Sequence, residues 1–278
     1  MSEDIDWLQI FKACEENVKA KIQHLTKSPP PQSELGIGAG GDPIKPVDLA
    51  AENAIVETIQ ERNLSFTLIS EESGIRKFGN TPEDCYLTID PIDGTTNLVH
   101  GLPFYCSSIA VSRKPSASKV FAALVTDLHH DISYTAIEGK GAQRNGQRIT
   151  PSQNSTLNKA LIGLDLNTYK IKEIIPQVNN LIQHIKHIRH FGANALEICY
   201  VADGSTDAFV DLRGKLRATD VAAAFLILKE AGGTLTTPDG QPIDLKLDPK
   251  QKTKFIASGN PKIHKALLDL IATGKQTC

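Results

Sequence analysis

The chain has 278 residues, of which 40% are hydrophobic and 22% charged, and its formal net charge is −2 at pH 7. This balance is typical of a globular protein with a substantial core, and it gives no indication of nucleic-acid binding. The five scattered cysteines form no C-x-x-C pair, and no apolar run reaches membrane-spanning length. We therefore expect a cytoplasmic protein that binds neither nucleic acid nor membrane.

Two helices and a glycine-rich loop are predicted at the N-terminal end. Apolar residues recur at helical spacing over residues 4–27, and Ser28-Pro29-Pro30-Pro31 ends this helix. Residues 32–42 contain four glycines and no apolar anchor, which predicts a mobile loop. It resembles a nucleotide-binding loop only superficially, because no strand precedes it and no Gly-Lys-Ser/Thr follows. The second helix is predicted over residues 48–62.

Short β-rich runs follow as far as Pro151. The predicted strands are residues 66–70, 86–90, 107–113, 120–127 and 132–137. Asn145-Gly146 is typical of a hairpin turn that needs positive φ. We expect residues 1–151 to form an α+β domain in which the two helices cover an antiparallel sheet.

Strands and helices alternate in the second half of the chain. The predicted strands are 160–164, 185–190, 208–211 and 255–258, and the predicted helices are 174–184, 193–203, 219–231 and 261–271. Alternation of this kind indicates an α/β unit over residues 152–278. The predicted fold class is therefore α/β, with an α+β half followed by an α/β half.

The sequence Asp90-Pro91-Ile92-Asp93-Gly94-Thr95 carries the strongest chemical signal. It follows a predicted strand, so a tight turn can direct both carboxylates to one place beside the exposed N–H groups of Gly94 and Thr95. Most bare D-x-x-D-G strings are turns whose side chains cap their own backbone. Five matched positions would arise by accident on the order of once in ten thousand sequences, which favours a functional site.

The segment Asp90 to Asn97 resembles the central motif of the inositol monophosphatase and fructose-1,6-bisphosphatase superfamily. Ser70-Glu71-Glu72-Ser73 is similar to its upstream glutamate motif. Thr219 to Ala224, followed by Glu230-Ala231-Gly232-Gly233, is similar to its downstream helix motif. The order of the motifs matches along nearly the whole chain. The resemblance implies a layered αβαβα sugar-phosphatase fold with metal ions in the cleft between the halves.

The resemblance also implies a site for two Mg²⁺ ions, the first held by Glu71, Asp90 and the Ile92 carbonyl, the second by Asp90, Asp93 and Asp220. Such an oxygen-rich site suits a hard cation, and Mn²⁺ is the expected substitute. The glycine-rich loop would bring Asp42 towards a third ion. Taken alone, Asp220 is typical of a helix cap, and a one-residue shift of the motif would exchange Glu71 with Glu72.

By the same resemblance, Glu71 and Thr95 activate the attacking water, with Asp48 as a supporting aspartate at the start of the second helix. Alone, Asp48 would be an N-cap. The substrate-binding residues that we expect are Asp93, Gly94, Thr95, Arg189, Asn194, Asp211, Arg213 and Arg217. The three histidines at 184, 187 and 190 share no common face, so zinc is not expected.

The cations Arg213, Lys215 and Arg217 resemble the corresponding segment of archaeal-type enzymes that act on both fructose 1,6-bisphosphate and inositol monophosphate. They are expected to bind a second phosphate, and the alternative is a solvated basic loop. The implied activity is Mg²⁺-dependent hydrolysis of fructose 1,6-bisphosphate, inositol 1-phosphate or both, by a homodimer. The alternatives are a 3′-phosphoadenosine 5′-phosphate or other nucleotide phosphatase, and a catalytically silent metal-binding regulatory protein.

Overall fold

A computed structural model of the chain describes residues 5–27, 35–168 and 170–276. The described helices are α1 (Trp7–Lys27), α2 (Pro46–Gln60), α3 (Thr95–Val99), α4 (Ile171–His184), α5 (Asn194–Ala202), α6 (Ala218–Ala231) and α7 (Pro261–Gln276). The predicted helix stop at residues 28–31 and the first residues of the predicted loop lie outside the described residues, as does the predicted helix start at residue 4. All the other predicted helices are confirmed, with ends shifted by a few residues.

The strands of the first sheet are β1 (Phe66–Ser70), β2 (Gly74–Phe78), β3 (Tyr86–Asp93), β4 (Cys106–Ser112), β5 (Val120–Asp127), β6 (Ile132–Ile137), β7 (Gly141–Arg144) and β8 (Gln147–Arg148). Those of the second sheet are β9 (Leu161–Leu164), β10 (His187–Arg189), β11 (Ala208–Asp211), β12 (Thr234–Thr236) and β13 (Phe255–Ser258).

The first sheet has the order β2-β1-β3-β4-β5-β6-β7-β8. The expectation of an antiparallel sheet is wrong at one place, because β1 and β3 are parallel. The missed strand β2 causes this arrangement: it folds back on β1 as a hairpin and forms the sheet edge, so β3 joins the other side of β1. Its exposed Arg76 and Lys77 are typical of edge strands, and they obscure the apolar alternation. The predicted turn at Asn145-Gly146 joins β7 to β8, with φ of 49° and 76°.

The second sheet has the order β10-β9-β11-β13-β12. Strands β9, β10 and β11 are parallel, whereas β13 is antiparallel to both of its neighbours. The short edge strand β12 was not predicted, because Thr234–Thr236 offers only three half-buried residues. The three parallel strands point their carboxyl ends to one edge of this sheet, where open α/β sheets commonly bind ligands.

Three hydrophobic cores hold five layers together, and the central core lies on both sides of its helices. Helices α1 and α2 pack on the outer face of the first sheet, where Phe11, Ile55 and Leu87 are buried together. Helices α5 and α6 lie between the two sheets, in a core that includes Val125 and Phe209. A third core lies between the second sheet and helices α4 and α7. Among its residues are Ile162, Val178 and Leu267. The αβαβα order is therefore confirmed.

The central core contains residues from both sides of Pro151, so the two halves share it. Helix α6 is buried along nearly its whole length. This explains its almost uninterrupted apolar sequence, since a helix covered on every side needs no polar face. Within the described part of the chain, no helix is long and apolar enough to cross a membrane.

Candidate active site

Asp90 and Asp93 lie on β3, and a β-bulge directs them to the same place. Residues three apart on a regular strand point to opposite faces. The pairing of β3 with β4 shifts between Asp90 and Asp93, which pair with Ser108 and Cys106 and so enclose one extra residue. Pro91 occupies the bulge, where its missing N–H breaks no ladder bond. The extra residue brings both carboxylates, which are buried, to one side.

Gly94 ends this strand in the left-handed conformation, with φ of 89°, and precedes α3. A Cβ atom at this position would lie 2.8 Å from the carbonyl oxygen of Phe104 and 3.2 Å from Cβ of Ala193. Asn97 in α3 donates to the carbonyls of Phe104 and Phe191 at 2.7 and 2.6 Å. The turn after Asp93 is therefore fixed against residues of both halves.

Glu71 lies in the β1–β2 turn. Buried Glu52 on α2 orders this turn by accepting hydrogen bonds from the Ser70 hydroxyl and, at 3.3 Å, from the Ser73 amide. The prediction from the apolar pattern did not include Glu52. Its signal would have been a carboxylate on the buried face of a helix, where an unpaired charge is costly.

Asp220 lies in the first turn of α6. Its Oδ2 atom accepts the Arg217 backbone N–H at 2.9 Å, as a capping residue does. Its carboxylate also belongs to the cluster with Glu71 and Asp90, because one ligand atom from each of the three lies within 4.8 Å of the others. Asp220 thus caps α6, and the same side chain lies in the acidic cluster.

This cluster fits a hard divalent cation. The pKa of Asp90 is raised well above its ordinary value, mainly by burial and next by the negative charge of Glu71. Burial, followed by the charge of Asp220, likewise raises the pKa of Glu71. Converging carboxylates of this kind repel one another unless protons or a cation neutralise them. Their donor atoms are all oxygens, which suits Mg²⁺ or Mn²⁺ rather than a soft metal.

The other two predicted ligands have protein partners. Asp93 Oδ2 accepts the Ala195 N–H at 2.6 Å, and burial followed by the charge of Asp220 raises the pKa of Asp93 to about 8. The Ile92 carbonyl accepts the Thr95 hydroxyl at 2.8 Å. The structure brings together Glu71, Asp90 and Asp220, with Asp93 beside Asp220 and bonded to the start of α5.

Thr95 and Asp48 meet at the edge of the cluster. The Thr95 Oγ1 atom lies 3.1 Å from Asp48 Oδ1. Asp48 Oδ2 accepts the Lys45 N–H at 3.2 Å, so Asp48 also closes the start of α2. Burial raises the pKa of Asp48 to about 6. A carboxylate of this pKa is suited to hold or release a proton near neutrality.

The predicted sugar-binding residues lie at the carboxyl ends of the parallel strands. Asp211 ends β11 and Arg189 ends β10, while Asp165 directly follows β9 between them. Asp165 was not predicted, although an aspartate directly after a buried strand is a candidate site residue. Asn194 begins α5, next to the Ala195 amide that binds Asp93.

Arg213 is tied to carboxylates rather than exposed to solvent. Its Nε atom donates to Asp211 Oδ2 at 2.9 Å, and its Nη atoms contact Asp165 and Asp211. Only 5% of its side chain is exposed, so a solvated loop is wrong for this residue. His190 lies 3.6 Å from Asp165 and from Glu197, and hydrogen bonding to Glu197 raises its pKa.

The glycine-rich loop is held by polar contacts. The Ala39 and Gly40 amides donate to the carbonyls of Glu72 and Glu71 at 3.0 and 2.8 Å. The guanidinium of Arg217 donates to the Gly40 carbonyl at 3.0 Å. The sequence predicted a mobile loop without an apolar anchor, and residues 38–42 have polar anchors instead. The anchors are hydrogen bonds, of which the hydropathy pattern contains no sign.

Several known proteins are similar to this chain along nearly its whole length. A sequence model described as the inositol monophosphatase family matches residues 8–276. The fructose-1,6-bisphosphatase/inositol-1-monophosphatase of Methanothermobacter thermautotrophicus is 32% identical over a 273-residue alignment, covering 95% of this chain and 96% of that protein. The bifunctional NADP phosphatase/NAD kinase of Methanococcus maripaludis is 33% identical; the match covers 96% of this chain and 49% of that protein. A crystal structure of an inositol monophosphatase-fructose 1,6-bisphosphatase matches with a TM-score of 0.84 at 28% identity, covering 96% of this chain and 100% of that one.

Proposed function

The chain belongs to the inositol monophosphatase family, and from that premise we propose that it is a Mg²⁺-dependent phosphatase of small sugar and polyol phosphates. The observation that carries this proposal is the group of Glu71, Asp90 and Asp220, whose ligand atoms lie within 4.8 Å of one another. Four acidic residues, with Asp93 as the fourth, balance the charge of two divalent cations. The resemblance assigns the Ile92 carbonyl to the same ligand set.

Bound divalent cations would supply charge stabilisation for the attacking and leaving oxygens of an in-line displacement. The chain's own residues supply the remaining chemistry. Thr95 and Glu71 orient the attacking water, and Asp48 accepts the Thr95 hydroxyl proton in a hydrogen bond. Its pKa of about 6 keeps Asp48 ionised at neutral pH and ready to act as an acceptor.

We propose that the backbone amides of Gly94 and Thr95 bind the phosphate. The hydroxyls of the sugar are bound by Asp211, Arg189 and Asn194. Support for this comes from the strand ends, which place Asp211 and Arg189 at one edge of the second sheet. Arg213 is proposed for the second phosphate of a bisphosphate substrate. Phosphate oxygens would take the place of one of its carboxylate partners, since both form forked bonds to guanidinium.

Fructose 1,6-bisphosphate and inositol 1-phosphate are the substrates that we propose first, because the relative from Methanothermobacter thermautotrophicus carries both activities in its name. A nucleotide phosphatase is the second candidate, and the similarity to a bifunctional NADP phosphatase/NAD kinase supports it. We further propose a homodimer in the cytoplasm, which light scattering and cell fractionation would test.

The test is phosphate release from fructose 1,6-bisphosphate, inositol 1-phosphate, 3′-phosphoadenosine 5′-phosphate and NADP under identical conditions with Mg²⁺. The proposal predicts the highest kcat/KM for one or both of the first two. A clear preference for either nucleotide would favour the second candidate. No hydrolysis of any substrate by a protein that binds Mg²⁺ would favour the silent regulatory alternative. Asp90→Asn is the matched control, because it removes one cluster charge with little change in shape.

A further inference from the structure

Arg217 connects the glycine-rich loop to the carboxylate cluster. Its Nε atom donates to the Gly40 carbonyl at 3.0 Å, and its Nη1 atom donates to Glu71 Oε1 at 2.8 Å. Its Nη2 atom donates to Asp42. The guanidinium therefore has an acceptor at each of its three nitrogens. Only 11% of the side chain is exposed.

The loop itself is a closed turn that lies against Glu71. The Gly38 amide donates to the Asp42 carbonyl at 2.8 Å, and the Gly40 amide donates to the Glu71 carbonyl at 2.8 Å. A Cβ atom on Gly40 would lie 2.8 Å from Arg217 Nε and 2.9 Å from Glu71 Cγ. A larger residue at this position would force the side chain of Arg217 or Glu71 to shift. Loop, arginine and glutamate are thus packed as one unit.

The same residue also touches the other side of the cluster. The backbone N–H of Arg217 donates to Asp220 Oδ2 at 2.9 Å. Arg217 therefore contacts two of the three clustered carboxylates, Glu71 through its side chain and Asp220 through its backbone. Its bond to Glu71 uses Oε1, so the second oxygen of that carboxylate remains available to a cation.

We propose that Arg217 is a positioning residue that fastens residues 38–42 to Glu71 and closes this edge of the carboxylate cluster. The benefit for catalysis rests on the proposed phosphatase function: a fastened loop fixes the orientation of Glu71 and limits the access of bulk water. A guanidinium suits this task because its planar fork can serve three acceptors at once, which the ammonium group of lysine does less well.

This role differs from the second-phosphate role expected from the sequence. A phosphate would have to displace Glu71, Asp42 or the Gly40 carbonyl from the Arg217 guanidinium. The two roles also predict different kinetics. Loss of a residue that holds the loop in place should lower kcat for every substrate by a similar factor. Loss of a residue that binds the second phosphate should lower only the hydrolysis of the bisphosphate.

Amide hydrogen exchange of the EDTA-treated protein tests the fastening directly. The reporters are the hydrogen-bonded amides of Ala39 and Gly40. In Arg217→Ala we expect them to exchange at least roughly tenfold faster, the effect of losing one or more charge-assisted hydrogen bonds. Arg217→Lys should fall between Arg217→Ala and the wild type. Asp42→Asn should loosen the loop by a related mechanism, and combining it with Arg217→Ala should add little further effect.

Arg113→Ala is the matched control. Its Nη1 atom donates to Glu138 at 2.8 Å, the same distance as between Arg217 and Glu71. We expect its loop exchange to equal that of the wild type. If exchange in Arg217→Ala is faster throughout the core strands, that variant is destabilised as a whole. The comparison of Arg217→Lys with the wild type then decides. Unchanged exchange of Ala39 and Gly40 in every Arg217 variant that folds would overturn the proposal.

Kinetics with saturating Mg²⁺ separate the two roles. We expect Arg217→Ala to lower kcat for fructose 1,6-bisphosphate and inositol 1-phosphate by the same factor, with smaller changes in KM. A loss confined to the bisphosphate would overturn the fastening role and restore the second-phosphate role. The exchange experiment needs no substrate or metal. A wild-type protein without phosphatase activity would thus contradict the proposed function but leave the exchange result interpretable.

Discussion

The hydroxyl oxygen of Thr95 lies 3.1 Å from Asp48 Oδ1 and 2.8 Å from the Ile92 carbonyl oxygen. Its single proton can serve only one of these acceptors at a time. When it points to Asp48, the lone pairs of the hydroxyl are available to the proton of a water molecule. This contact joins α2, which carries Asp48, to Thr95 at the start of α3. Thr95 directly follows β3, the strand that carries the clustered carboxylate Asp90.

The first prediction concerns this pair. Thr95→Ala and Asp48→Asn should each lower kcat by about a hundredfold or more, with little change in KM, because general acid–base groups contribute about 10²- to 10⁴-fold. The double variant should be little slower than the slower single variant. Thr95→Ser is the control, since it keeps the hydroxyl and should retain most of the turnover. Near-wild-type kcat in Thr95→Ala would remove the pair from the mechanism.

The second prediction concerns stability and pH. Burial is the main cause that raises the pKa of Asp93 and of Glu72 to about 8 and that of Asp48 to about 6. A carboxyl whose pKa is raised on folding contributes stability below its unfolded pKa of about 4, and that contribution is lost as the pH rises through the folded value. The unfolding temperature in EDTA should therefore fall between pH 5 and pH 8.

Mg²⁺ should reverse this trend, since it favours the ionised carboxylates, and the increment that it adds to the unfolding temperature should grow over the same pH range. Differential scanning calorimetry at pH 5, 6, 7 and 8, in EDTA and in Mg²⁺, supplies the comparison. An unfolding temperature in EDTA that rises from pH 5 to pH 8 would be inconsistent with these pKa shifts.

The third prediction concerns Gly94. Alanine at this position would combine a positive φ of 89° with a Cβ atom 2.8 Å from the Phe104 carbonyl oxygen. The conformation alone costs about 1–2 kcal/mol, and the close contact adds to this. Urea unfolding in excess Mg²⁺ should show a loss of at least that size. Gly146 also has a positive φ, but a Cβ atom there would meet nothing within 4 Å. Gly146→Ala should therefore lose less free energy of unfolding. Equal losses would show that packing around Gly94 is unimportant.

The fourth prediction concerns Arg213 and substrate choice. Arg213→Ala should lower kcat/KM for fructose 1,6-bisphosphate by about tenfold to a hundredfold relative to inositol 1-phosphate, because a charge-assisted bond to phosphate is worth about 1.5–3 kcal/mol. The variant also leaves Asp165 and Asp211 without this partner, so its folding must be verified by circular dichroism. Each substrate serves as the control for the other. A ratio of the two kcat/KM values equal to that of the wild type would exclude the second-phosphate role.

Much of this site was predictable from the chain alone, and the reason is local. Asp90, Pro91 and Asp93 lie within one bulged strand end, so sequence spacing translates directly into geometry. Most helices and strands were also predictable, since helix and strand periodicities differ, whereas the order of the layers came from the family resemblance. The family resemblance supplied Glu71 and Asp220, which lie far apart in the sequence and come together only in the fold.

The unpredicted features depend on contacts between distant segments. The fork of Arg217 reaches Gly40, Asp42 and Glu71, all more than 140 positions earlier in the chain. A basic residue just before a helix, such as Arg217, has no sequence signal that separates an anion ligand from a structural ion pair. The parallel pairing of β1 with β3 was missed for a similar reason, because the charged edge strand β2 obscures its own alternation.

The proposed phosphatase function depends on a cation held by Glu71, Asp90 and Asp220. The most direct measurement is phosphate release from fructose 1,6-bisphosphate and inositol 1-phosphate by EDTA-treated protein as Mg²⁺ is titrated back. We predict no release in EDTA, saturable recovery with Mg²⁺ in the wild type, and no recovery in Asp90→Asn over the same range. Full activity in EDTA, or equal recovery in the wild type and Asp90→Asn, would contradict a metal-dependent phosphatase.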